Sequence, residues 1–363
     1  MFSTTPLSLA YKGYLPKPAD QYFVNDHPII PTMKLGVLTR DEPVYSLCVY
    51  RDNLIRELKE LDVDIIPIQN EYPELDRVDI IWDPGLISAR FPLLEFRDAK
   101  IPIVVTIHGL AGHTLSIREY FPDPIEAVVG QVFHEQVSEE WKWFRKKVTQ
   151  VIAVSEYGAD EIVTVYQVPR KKVTAIYHGL DHDIFKEDGP AKQMNTPYLL
   201  QIAQYAPKKN IDRVLEAYAL LPEKTRPEFY VIIPNYEGID PDIKGVNIIR
   251  ESQTHEDLAA WYRGALGFVF PSIHETFGLP ALEAMACGCP VITSAVTAMP
   301  EMTDDAAILA NPRSIDEITA AIQRLVEDAK LRENLREKGL ARARQFTWEK
   351  SAREHLEVFQ SAL

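Results

Sequence analysis

The sequence has little of what several protein classes require. Cysteine is scarce, with only Cys48, Cys287 and Cys289 in 363 residues. So odd and sparse a set gives no disulfide framework. Cys287-Gly288-Cys289 also lacks the two-residue spacer and the second pair of most metal knuckles. Reduced side chains packed beside a helix end are therefore expected, in a reducing compartment. No apolar run approaches the roughly 18 residues that span a bilayer. No basic stretch followed by an apolar one opens the chain, so a cytoplasmic location is expected. Positive charge is in deficit, with 39 Lys and Arg against 53 Asp and Glu and a formal net charge of −14. That leaves no extended basic face for a phosphate backbone, and no nucleic-acid partner is expected.

What is present is an ordinary globular composition, 46% hydrophobic and 25% charged, over a length that suits two domains. Short β-rich apolar runs alternate with segments of helical period. The expected strands are 35–38, 63–68, 78–82, 103–107, 148–154 and 173–177, then 198–202, 229–233, 246–249, 266–270, 291–294 and 306–309. Between the first two, Leu47, Tyr50, Leu54, Leu58 and Leu61 mark a helix over 46–61. Continuous apolar strands between helices mean parallel sheets covered on both faces, an α/β fold of two Rossmann-like domains facing a central cleft. The first spans 1–186, with 1–32 a Pro- and Tyr-rich preface before Met33. A polar, turn-prone linker covers 187–197 and the second domain 198–346. The chain ends in helices over 315–327, 331–345 and 349–363, with Ser314 placed to cap the first.

The chemistry concentrates in His274-Glu275-Thr276-Phe277-Gly278-Leu279-Pro280-Ala281-Leu282-Glu283. It follows the strand ending at Phe270, so it lies at a strand's carboxyl end. Gly278 admits a backbone conformation closed to other residues, and Pro280 suits the first turn of a helix. A helix from about Pro280 to Ala286 aims the N–H groups of Phe277, Gly278 and Leu279 into the cleft, a site for phosphate or sugar hydroxyls. Glu275 and Glu283 repel phosphate, but carboxylates suit vicinal hydroxyls. Taken alone, the pair reads equally as a solvated loop acid and a capping or salt-bridging residue.

The stretch from Phe270 through Glu275 and Glu283 to Pro290-Val291-Ile292-Thr293-Ser294 resembles the signature of the retaining family 4 glycosyltransferases, which have the GT-B fold. Met299-Pro300-Glu301-Met302, Asp305-Ala306-Ala307, Ile152-Ala153-Val154-Ser155-Glu156 and His178-Gly179-Leu180-Asp181 extend the resemblance. Phe346-Thr347-Trp348 does so too, and the resemblance implies that the final helix, 347–363, crosses back onto the first domain. The resemblance is good over residues 100–363 and poor before them.

It implies that Glu275 and the backbone at Phe277, Gly278 and Leu279 hold a donor hexose and its distal phosphate. Glu283 takes the ribose hydroxyls, and the base lies along Ile248, Ile249 and Arg250, mostly on backbone. Ile202-Ala203-Gln204-Tyr205-Ala206-Pro207-Lys208-Lys209-Asn210 resembles a family loop whose lysine is Lys209 and whose usual arginine is replaced by Gln204. Lys208, or Lys12 from the preface, would supply the missing charge. The glycine pair usual after the first strand is absent from Thr39–Ser46, where Ser46 and Arg40 are the candidates to reach phosphate. His108 occupies the place of a histidine facing the donor sugar, and His113 is a weaker candidate.

The function implied is transfer of a hexose from a UDP-glucose-like or GDP-mannose-like donor to a saccharide or lipid-linked acceptor, with retention. A nucleotide-sugar-binding protein with weak turnover and a GT-B phosphorylase are the competing readings. The helix segment Trp141-Lys142-Trp143-Phe144-Arg145-Lys146-Lys147 is read as buried aromatics with a solvated basic face, with weak peripheral membrane contact as the alternative. Asp62-Val63-Asp64, Asp181-His182-Asp183 and Asp240-Pro241-Asp242 are read as chance acidic triplets rather than metal ligands, the second as a helix cap. No metal cofactor is expected. Turnover measured before and after exhaustive chelation should therefore be the same; a strict divalent-metal requirement would contradict this reading.

Overall fold

The computed structural model describes residues 33–39, 45–69, 75–88, 90–121, 123–234 and 236–363. The preface with Lys12, and Arg40 in the loop after the first strand, lie outside them. Among the described residues, twelve parallel strands form two six-stranded sheets. The first contains β1 (Lys34–Thr39), β2 (Asp64–Gln69), β3 (Ile80–Leu86), β4 (Ile103–Ile107), β5 (Gln150–Ala153) and β6 (Val173–Ala175). Its order is β2-β1-β3-β4-β5-β6. The second contains β7 (Tyr198–Ile202), β8 (Glu228–Ile232), β9 (Val246–Ile249), β10 (Gly267–Phe270), β11 (Val291–Ser294) and β12 (Ala307–Ala310), in the order β12-β11-β10-β7-β8-β9.

The period-two pattern of each strand explains the layering. On β4, Ile103, Val105 and Ile107 enter one core and Val104 the opposite one. On β10, Phe268 and Phe270 face one side and Val269 the other. Each expected strand is present, with one displaced: β3 runs on to Leu86 instead of ending at Trp82. Buried Asp83 accepts a hydrogen bond from Gly85 N at 3.1 Å, so a turn-prone Asp-Pro-Gly is absorbed as a register irregularity. Ser314 caps the helix Ile315–Glu327, its side chain accepting from Glu317 N.

Helix Pro124–Lys147 buries Trp141 and Phe144, while Lys142 and Lys146 are exposed. Trp143 is occupied by the Arg97 guanidinium, 4.7 Å from its ring centroid. The aromatics of this segment thus pack against the protein. Among the described residues no helix is long and apolar enough to cross a membrane.

The last helix, Trp348–Ala362, crosses back and packs Trp348, Ala352, Val358 and Phe359 with Leu35, Val37, Tyr50, Leu54 and Trp82 of the first half. A buried polar chain fastens it there. Trp82 Nε1 donates to Thr106 Oγ1 at 2.9 Å, and the Thr106 and Tyr50 hydroxyls lie 3.2 Å apart. Tyr50 Oη is 2.7 Å from His355 Nε2, and His355 Nδ1 is 2.7 Å from the Ser351 carbonyl. A carbonyl only accepts, so Nδ1 carries the proton and Nε2 accepts from Tyr50.

Burial pushes the His355 imidazole down to about 4, and His113 is pushed to about 4 by burial as well. The unfolded chain therefore binds protons that the folded one refuses. This contribution to stability is complete above about pH 6.5 and is lost as the pH falls towards 4, at up to ~1.4 kcal/mol per pH unit for each histidine. Denaturant unfolding between pH 4.5 and 7.5 should show that slope. In His355→Leu the slope should shrink by one histidine's share, with about 1–3 kcal/mol lost at pH 7 because the Tyr50 hydroxyl loses its acceptor.

Candidate active site

Two loops meet at the carboxyl ends of β7 and β10. After β7 the chain makes a 3₁₀ turn, Pro207–Lys209, which ends at Asn210 with φ +62°. Asn210 Nδ2 donates to the Pro271 carbonyl at 2.9 Å and to the Pro312 carbonyl at 2.6 Å. The Lys208 carbonyl accepts from Ile273 N at 2.7 Å, and Gln201 Nε2 donates to the Lys209 carbonyl at 3.2 Å. The β7 turn is thereby stapled to the loop after β10. Across that seam Lys209 Nζ lies 2.6 Å from Glu275 Oε1, with side chains 18% and 11% exposed.

Helix Leu279–Ala286 begins one residue earlier than expected, with Gly278 at φ +93° as its N-cap. A side chain there is strained by the backbone and meets Met299 Sδ at 2.5 Å. Among the described residues, the N–H groups of Phe277, Gly278 and Leu279 donate to no backbone carbonyl. The Phe277 ring is buried against His178 (4.6 Å between centroids) and Phe346, so its backbone alone faces a ligand.

Burial alone would push the Glu275 carboxyl up. Lys209 and Lys208 outweigh it and hold the group below its ordinary value, so it is ionised at neutral pH. Burial and the neighbouring Lys209 lower Lys208, whose ammonium lies 6.0 Å from the centre of the Tyr120 ring. Glu283 is different. Burial raises it to about 7, and the Tyr262 hydroxyl donates to its Oε2 at 3.2 Å.

His108 closes β4, and its Nε2 donates to the Pro84 carbonyl at 2.7 Å. Its ring is 5.4 Å from His178, which in turn packs on Phe277, so it lies near the loop that carries Glu275. His113 is not there: it packs with Tyr166 and His134 inside the first half. Ser46 is exposed in the first turn of helix Tyr45–Glu60. Gln204 is exposed in the turn after β7.

Ile249 ends β9. The Arg250 side chain holds the 236–240 loop through Asp240 (2.5 Å) and the carbonyls of Tyr236 and Gly238. The Arg250 side chain is thereby committed to that loop. Asp181 caps an isolated turn, accepting from Asp183 N and Ile184 N, rather than the helix expected from sequence. Asn210, His178 and Ser155 were not singled out as site residues by sequence reasoning. Asn210 and His178 sit inside segments already recognised, and the left-handed position after the two lysines was the available signal for Asn210.

Two parallel six-stranded α/β halves, the second carrying a lysine–carboxylate pair at its strand ends, fit the GT-B class of transferases. Residues 15–184 match the description Glycosyltransferase Family 4, and residues 243–342 match Glycosyl transferases group 1. Over 276 residues the chain is 30% identical to the O-antigen chain mannosyltransferase B of Escherichia coli, covering 71% of this chain and 70% of that protein. It is 25% identical over 240 residues to the Escherichia coli serotype-specific mannosyltransferase WbdA, covering 60% of this chain but only 29% of that longer protein. Sucrose-phosphate synthase from Thermosynechococcus elongatus superposes with a TM-score of 0.67 at 18% identity, over 91% of this chain and 98% of that one. The chain belongs to glycosyltransferase family 4, and it is a nucleotide-sugar hexosyltransferase.

The Lys209–Glu275 pair makes a stability prediction independent of turnover. Lys209→Met strands a buried carboxylate and should cost about 3 kcal/mol at pH 8. The carboxyl then rises and takes a proton as the pH falls, so the deficit should shrink between pH 8 and 5. Parallel denaturant titrations of wild type and variant measure it.

Proposed function

We propose that the protein moves a mannosyl residue from a GDP-mannose-like donor to a saccharide acceptor, retaining the anomeric configuration. The observation that carries this reading is the Lys209–Glu275 pair beside the N–H groups of Phe277–Leu279. The names of the two Escherichia coli relatives, both mannosyltransferases, support the choice of sugar.

Without donor, the ammonium and the carboxylate satisfy each other. A sugar diphosphate offers Lys209 a stronger anion and frees Glu275 to accept hydrogen bonds from the sugar hydroxyls. The distal phosphate takes the N–H groups of Phe277, Gly278 and Leu279 and the positive end of the helix. Glu283 accepts from the ribose diol, and the backbone at Ile249 and Arg250 borders the base. Lys208 supplies the second cation, and His108, oriented by Pro84, bonds a sugar hydroxyl.

The bond from the anomeric carbon to the leaving phosphate oxygen breaks as the acceptor oxygen approaches on the same face. That phosphate takes the acceptor proton, and its charge is stabilised by Lys209 and the helix N-terminus. No metal enters the scheme.

Incubation with GDP-mannose or UDP-glucose and a mannose-containing oligosaccharide, following nucleoside diphosphate release, tests the proposal. Glu275→Ala should lower turnover by at least ~100-fold while nucleoside diphosphate still binds. Equal turnover in wild type and variant would overturn the assignment. Binding without release by the wild type would favour the weak-turnover reading, which the replacement of an arginine by Gln204 supports.

A further inference from the structure

The loop that carries Glu275 is gripped from the first half of the molecule as well as from its own. The Ser155 hydroxyl donates to the Thr276 carbonyl at 2.6 Å, while its oxygen accepts from Gly158 N. Glu301, from the second half, accepts the N–H groups of Glu156 at 2.7 Å and Tyr157 at 3.0 Å. The Thr276 side chain sits in a socket made by two glycines of the first half. A Cβ on Gly109 would collide with its Oγ1, and one on Gly158 would lie 2.9 Å from its Cγ2.

Beside this socket His274 Nε2 lies 2.7 Å from Glu161 Oε1, with side chains 3% and 5% exposed. Thr114 Oγ1 at 2.9 Å and the Tyr157 hydroxyl at 3.2 Å donate to the same oxygen. Glu161 Oε2 is buried with no hydrogen-bond partner. A carboxylate in that setting is a poor source of stability, since apolar residues of similar volume do as well. What it provides is direction. Donors from helix Glu156–Tyr166 and from Thr114 hold the carboxylate in the first half, and it accepts His274 in one orientation. His274 immediately precedes Glu275, so the bond fixes the backbone that presents Glu275 to Lys209.

We propose that Glu161 is a positioning residue for sugar transfer: acting through His274, it seats Glu275 only when the two halves are closed. Closure of the cleft and completion of the donor site are then one event, which keeps water from the activated donor until both halves hold it. The inference rests on the transfer reading above.

Glu161→Leu should lower kcat by about 10- to 100-fold with little change in nucleoside diphosphate affinity, the effect of a small misplacement rather than of lost binding. Glu161→Gln, whose amide oxygen accepts the same N–H, should recover most of the rate. His274→Leu should match Glu161→Leu, and the double variant should be no slower than either. Donor hydrolysis should rise relative to transfer. Amide exchange over residues 271–279 should quicken in Glu161→Leu and not in Glu161→Gln.

Glu161→Asp keeps the charge but withdraws the oxygen by one methylene, and it should show the same losses even if the leucine variant misfolds. Multiplicative effects in the double variant, or unchanged exchange over 271–279, would overturn the proposal. The exchange measurement needs no turnover, so a wild type that transferred neither sugar would sink the transfer reading and leave this contact still tested.

Discussion

The ion pair of Lys209 and Glu275 spans 66 residues of chain, yet it follows from the order of the second sheet. The chain lays down β7, then β8 and β9 to one side, and returns across β7 to place β10, β11 and β12 on the other. Neighbouring strands whose connections leave in opposite directions open a crevice at their carboxyl ends. The turns after β7 and β10 are the two walls of that crevice, and each supplies one charge. Asn210 makes the geometry rigid, since the two bonds donated by its side-chain amide tie the β7 turn to the Pro271 and Pro312 carbonyls. Much of the donor site depends on this one junction.

The first half is attached at two places of different character. At the back, the final helix lies in a core of Tyr50, Leu54, Trp82 and Phe359, threaded by the hydrogen bonds of Thr106, Tyr50 and His355. That contact is mainly apolar, as suits a lasting attachment. At the front, Ser155, Glu161 and Glu119 reach Thr276, His274 and Arg313 through polar bonds. Bonds of this kind form and part with less change in buried apolar area. The back and front contacts are therefore chemically distinct.

The architecture was readable because each strand carries its own signal. A run such as Val291–Ser294 or Ile103–Ile107, buried on both faces, is apolar throughout and bounded by turn residues. The Glu275–Glu283 motif was equally visible, since Gly278 and Pro280 mark a helix start locally. Cross-cleft contacts leave no such trace. Nothing near Glu161 indicates a partner 113 residues away, and Thr276 gives no hint that it needs two glycines around it. His113 was a candidate by its nearness to His108, and Arg250 by the resemblance, mostly through its backbone. The fold turned the first inward against Tyr166 and committed the second to Asp240. Asp83 shows the reverse case, a turn signal overridden because burial let the side chain close the turn inside a strand.

Charge in the cleft follows from the same pairings. Lys208 and Lys209 face Glu275 and Glu161, so the free site is close to neutral, although the protein as a whole is strongly acidic. A bare diphosphate brings about two negative charges towards Lys209 while Glu275 loses its counter-charge and gains nothing. A sugar diphosphate supplies both halves of the exchange, oxygens for the lysine and hydroxyls for the carboxylate. With Gln204 in place of a guanidinium, Lys208 is left as the second cation beside Lys209 for the diphosphate. On the transfer reading, the missing arginine and the buried ion pair act in the same direction: they make the diphosphate bind more tightly when it carries the sugar.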